Sequence, residues 1–96
     1  MAIVVHKPRE GVSIEGYRAA QQLLAEAAAN RDDQIFMVAY GDPEDYELIV
    51  VWKDREAWER FQREDLPAAA RAAGTDPSLL EVYEALDVYQ PQLTQQ

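Results

Sequence analysis

Cysteine is absent from the 96 residues, and histidine occurs once, at position 6. The first absence removes disulfides, zinc-thiolate centres and thiol nucleophiles together. The second leaves His6 as the one side chain that ordinarily titrates near neutrality. Positive charge is also scarce: 9 Lys and Arg stand against 18 Asp and Glu, giving a net charge of −9, and no basic stripe forms. Phosphate backbones and anionic membrane surfaces are bound through clustered cations, so neither nucleic acid nor a membrane is expected as a partner. No apolar run reaches transmembrane length, and the opening MAIVVHKPRE lacks the basic and then long-apolar layout of a secretory leader. A cytoplasmic protein is expected. Glycine-rich phosphate loops and a Ser-His-Asp order are missing as well, and no cofactor is expected.

The hydrophobic fraction of 48% falls in periodic blocks, the pattern of a chain that folds around a core. Residues 1–90 read as one domain and residues 91–96 as a polar tail. Ala2 to Lys7 is β-branched and stops at Pro8, which marks a strand. Ser13 is placed to cap a helix from Ile14 to about Ala29, with Ile14, Tyr17, Gln21 and Leu24 along one stripe. Gln34 to Tyr40 and Tyr46 to Trp52 read as strands joined by the turn GDPED. Asp54 caps a helix carrying Ala57, Trp58 and Phe61, Pro67 suits the first turn of another that ends near Gly74, and Leu79 to Tyr89 reads as a last strand.

The order β-α-β-β-α-β is the ferredoxin-like α+β plan, a four-stranded antiparallel sheet with helices on one face. Its strands are apolar on both faces. Tyr46, Leu48, Val50 and Trp52 oppose Ile49 and Val51, while Ile35, Met37 and Ala39 oppose Phe36, Val38 and Tyr40. A sheet wetted on one side would alternate apolar with polar, so the helix-free face calls for a cover, most simply a second subunit. A homodimer is expected.

The segment VVWKDREAWERF, residues 50–61, is an apolar strand ending in Trp, a short polar turn, and Ala-aromatic at the head of a helix. In it, and in the overall order of elements, the chain resembles the dimeric α+β barrel superfamily, which includes antibiotic-biosynthesis monooxygenases, haem-degrading monooxygenases and polyketide cyclases. The resemblance implies that two sheets pack face to face into a barrel and that each subunit holds a ligand pocket between its sheet and helices. It implies a small apolar or aromatic ligand, and a cofactor-independent monooxygenase acting on an aromatic or polyketide-like substrate. A cyclase or isomerase of the same fold, or a dimer that binds without catalysis, are the alternatives. In the haem-degrading branch a helical Trp and a haem-ligating His are implied further along. Aligned without gaps from Trp52, those places hold Phe61 and Arg71, so the haem ligand is missing.

His6 and Tyr40 are the candidate proton-transfer residues, since imidazole and phenol move protons near neutrality or hold an oxygen. A strand-end histidine facing solvent, next to Lys7 and Pro8, is the competing interpretation. Tyr17, Trp52, Trp58, Phe61 and Tyr83 are candidate walls for a planar ligand, and ordinary core packing explains the same residues equally simply. Arg71, with Arg18, offers fixed donors for an acidic oxygen if it faces inward, although helical arginines are usually solvated. Asp42, Glu44 and Asp45 gather near the hairpin but lack metal-ligand spacing, and no metal site is expected.

Overall fold

The computed structural model describes residues 1–27 and 32–89. Strand β1 (Ile3–Lys7) leads to helix α1 (Ile14–Glu26), strands β2 (Gln34–Asp42) and β3 (Asp45–Trp52), helices α2 (Arg55–Glu64) and α3 (Leu66–Ala73), and strand β4 (Glu81–Glu84). The sheet is antiparallel with order β2-β3-β1-β4. This is the expected ferredoxin-like plan, with the second helical region divided in two. No helix among the described residues is long and apolar enough to cross a membrane.

Local chemistry accounts for the boundaries. The Ser13 hydroxyl accepts from the Glu15 N–H at 3.1 Å and opens α1, while the Asp54 carboxylate accepts from the Ala57 N–H at 2.8 Å and opens α2. The expected α1 ran to about Ala29; helix is assigned only to Glu26, and Ala29 lies outside the described residues. Pro67 sits in the first turn of α3, where its missing N–H costs nothing, and Gly74 ends that helix in the left-handed conformation at φ 75°.

Two elements differ from expectation. The hairpin is tighter than GDPED suggested: Gly41 pairs with Tyr46 and Asp42 with Asp45, so only Pro43 and Glu44 remain in the turn. The last strand is much shorter than Leu79 to Tyr89. Pro77–Leu79 forms a 3-10 turn that takes the Leu80 N–H, and at the other end Glu84 already faces Ile3, the first residue of β1. Past that point β4 has almost no neighbour left to pair with, the Ala85 N–H to Ala2 carbonyl bond being its last rung.

All three helices pack on one face. Ile3, Val5, Val50, Trp52, Ala57 and Trp58 form the core there, and Ala20, Leu24, Ala69 and Ala73 a second cluster between α1 and α3. Those two helices approach so closely that a Cβ on Gly16 would collide with the Ala73 carbonyl. On the other face Phe36, Val38 and Tyr40 are exposed at 54%, 37% and 40%, with Val4, Ile49 and Val51 paired beside them. No described residue of the chain covers that face.

Candidate functional site

Between the sheet and the helices lies a partly open cavity of about 100 Å³. Tyr17 and Leu24 of α1, Val50 and Trp52 of β3, and Trp58 and Phe61 of α2 supply much of its wall. The sheet fixes Trp52 by pairing it with Ile3, and the cap at Asp54 starts α2 so that Trp58 and Phe61 face it. The ring centroids of Trp52 and Phe61 are 4.9 Å apart, and Trp58 lies 6.4 Å from each of them. Four of the candidate wall residues, Tyr17, Trp52, Trp58 and Phe61, thus meet at one cavity. The Trp52 indole N–H is buried with no acceptor among the described residues. Size limits what enters. A cavity of about 150 Å³ accommodates benzene, so this one admits a single small ring with slight yielding of its walls, and a fused polycycle only by displacing them.

Among the described residues the cavity has one charged wall residue. Lys7 lines it and is only 3% exposed, although its place before Pro8 had suggested solvent. Its ammonium donates to the carbonyls of Pro8 and Tyr46, at 2.9 Å each, and stands 4.1 Å from the centre of the Tyr46 ring. Glu10 Oε2 lies 3.3 Å from Nζ, and Glu10 Oε1 accepts from the Asp76 N–H at 3.0 Å. Tyr17 meets Tyr46 edge-on with centroids 5.9 Å apart. Burial, with the charge of Glu10 next, pushes the Tyr46 hydroxyl up to about 12. Lys7 and Glu10 were not singled out from the sequence. The available signal was parity: Ile3, Val5 and Lys7 share a strand face, so a core-facing Val5 carries Lys7 inward.

The remaining candidates are elsewhere. His6 projects from the open face of the sheet, which separates it from the cavity. Its Nδ1 lies 2.7 Å from Glu81 Oε1 and its Nε2 2.9 Å from Glu47 Oε1. Two carboxylate contacts engage both ring nitrogens as donors, the arrangement of an imidazolium. The hydrogen bond to Glu81 leads in raising the His6 pKa above its ordinary 6.5, with Glu47 adding to it. The bond to His6 in turn lowers both glutamates. The Tyr40 hydroxyl donates to Glu47 and that of Tyr83 to Glu81, each at 3.3 Å, and Arg9 Nε reaches Glu47 Oε2 at 3.3 Å. These residues form a polar band across four strands. His6, Tyr40 and Tyr83, singled out from the sequence, are not part of the cavity wall: strand parity turns all three to the opposite face of the sheet. Arg71 is exposed on α3 and is not part of the cavity wall. Arg18 pairs with Glu15 at 2.7 Å on the surface. Asp42 and Asp45 accept backbone N–H groups of Glu44 and Gly11, and no metal-binding cluster occurs among the described residues.

No family model and no curated protein matches the sequence. Solved structures do. A variant of SnoaB, a cofactor-independent oxygenase from Streptomyces nogalater, aligns at TM-score 0.57 and 17% identity over 91% of this chain and 93% of that one. A candidate antibiotic biosynthesis monooxygenase from Chloroflexus aurantiacus aligns at 0.57 and 15%, over 98% and 100%. A heme-degrading protein from Mycobacterium tuberculosis, crystallised heme free, gives 0.51 and 14%, over 94% and 100%. At these identities what is shared is the fold.

Proposed function

We propose that this chain, which has the antibiotic-biosynthesis-monooxygenase-like fold of the dimeric α+β barrel superfamily, binds a small ring-bearing molecule between its sheet and helices and oxygenates it without a resident cofactor. A second copy covers the open face. The observation that carries this reading is the cavity itself, walled by Tyr17, Trp52, Trp58 and Phe61 with one buried ammonium at its edge. Aromatic walls suit a planar ligand, and a few fixed polar groups orient it.

The chemistry asks little more of a protein. A substrate with an acidic CH₂ or phenol beside its ring loses a proton, and the resulting anion passes electrons to O₂. One oxygen atom forms the new C–O bond, and the other leaves as water with two substrate hydrogens, both from the carbon of a CH₂, or one from the ring carbon and one from the hydroxyl of a phenol. The protein contributes a dry chamber, positioning and a place for the proton. Because His6 lies across the sheet, that place belongs to the residues at the Lys7 end.

The position of His6 also favours a competing reading, a ligand-binding dimer without catalysis. Oxygen consumption with a panel of single-ring phenols and cyclic enols separates the two. The expected result is uptake of O₂ with a product labelled from ¹⁸O₂. An isomer or cyclised product formed anaerobically assigns the cavity to non-oxidative chemistry instead, and tight binding with no product assigns it to binding alone.

A further inference from the structure

We propose that the Tyr46 hydroxyl donates the hydrogen bond that orients the ligand in the cavity, and that the ring accepted there carries a carbonyl oxygen to receive it. The proposal rests on the reading that the cavity holds a ring, and adds the polar group on that ring and the side chain that meets it.

Tyr46 is 2% exposed and lines the cavity. Strand parity puts it on the helix-covered face of β3 with Leu48, Val50 and Trp52, which line the cavity too. Its neighbours hold every part of it except the hydroxyl. The backbone carbonyl accepts from the Lys7 ammonium, the same ammonium stands 4.1 Å from the ring centre, and Tyr17 meets the ring edge-on. The hydroxyl has no hydrogen-bond partner among the described residues. It is nevertheless within reach. The unpartnered polar side-chain atoms sealed from water there are Glu10 Oε2 and the Trp52 indole nitrogen, and the Tyr46 oxygen is not one of them. Since the residue is otherwise enclosed, the surface that oxygen keeps opens into the cavity.

A phenolic O–H held away from water without an acceptor is costly, and a ligand oxygen that accepts from it removes the cost. A ring methyl offers no acceptor. A ligand carboxylate would accept, but it would stand within range of the Glu10 charge, which Lys7 already pairs at 3.3 Å, and nothing further balances a second anion. A carbonyl oxygen accepts without bringing charge and asks for no other partner. Burial, and then the charge of Glu10, push the hydroxyl up to about 12, so Tyr46 keeps its proton at neutral pH and remains a donor. A cyclic ketone is also the tautomer of a cyclic enol, one of the substrate classes proposed above.

Cyclohexanone and methylenecyclohexane, which differ by C=O for C=CH₂ on the same ring, test this by calorimetric titration of the full chain and of Tyr46→Phe. The substitution keeps the aromatic ring that meets Lys7 and Tyr17 and removes only the oxygen. The variant should bind the ketone about tenfold more weakly, the scale of one net hydrogen bond, and the alkene no more weakly than before. Because no described residue pairs with the hydroxyl, the ligand-free variant should also be no less stable in urea than the natural chain. Equal binding of the ketone by both proteins, or ketone and alkene weakened together, overturns the proposal while leaving the ring cavity intact. So does a clear loss of stability in the ligand-free variant, which would mean that the hydroxyl is already bonded within the protein. A ketone preference lost in Tyr17→Phe but kept in Tyr46→Phe assigns the donor to Tyr17 and overturns it too. Binding of neither probe overturns the cavity reading along with it.

Discussion

At the scale of single residues, His6 does something other than what its isolated presence suggested. It ties β4 to β3 across β1, with Glu81 on one side and Glu47 on the other. Its pKa is raised above 6.5, so the stability it adds is present at lower pH and is lost as pH rises through the raised value. The two glutamates are lowered from 4.5, so their share is present above that value and lost as pH falls. The clasp is strongest between these limits. Urea unfolding of the natural chain and of His6→Gln should therefore differ most between pH 4.5 and 6.5 and converge as pH rises through the raised value. A difference that stays constant as pH rises would remove the charged form from the account. That His6 was the chain's single imidazole was plain from its sequence, but its direction was not. Val4 and His6 alternate with Ile3, Val5 and Lys7, and because both sets begin apolar, periodicity alone does not say which one faces the core.

At the scale of elements, the closest approach is between α1 and α3. Gly16 is required there because the Ala73 carbonyl occupies the space a Cβ would need, and backbone yields less readily than a side chain. Gly16→Ala should push the helices apart and cost about 1–3 kcal/mol in chemical unfolding. Ring binding should weaken in parallel, since Tyr17 and Ala73 both line the cavity. Helix starts were legible because caps are local chemistry: Ser13 and Asp54 bond where their types and positions indicated. The end of β4 was not. Leu86 and Val88 continue an apolar pattern yet are 103% and 37% exposed, because a strand lasts only as long as its neighbour, and that limit is set by a segment some eighty residues away.

At the scale of the whole molecule, charge bears on the proposed dimer. A net charge of −9 opposes association of two copies, but the open face is balanced, with His6 and Arg9 set against Glu47 and Glu81 among exposed Phe36 and Val38. A like-charged copy meets least repulsion there. Val38→Glu should convert a dimer into a monomer in sedimentation velocity without unfolding it, whereas a dimer that persists would place the interface elsewhere. The two-faced apolar strands made this surface readable before any coordinates, while the cavity, which depends on how three helices and a sheet fail to fill the space between them, has no counterpart in a linear pattern. The strand order carries one more consequence. On the ribosome β1 is made before both of its neighbours, β3 and β4, so it must wait for residues 45–52 on one flank and 81–84 on the other. The β2-β3 hairpin closes early through neighbouring residues, and a nascent chain gains a complete cavity wall only when Leu80 has emerged.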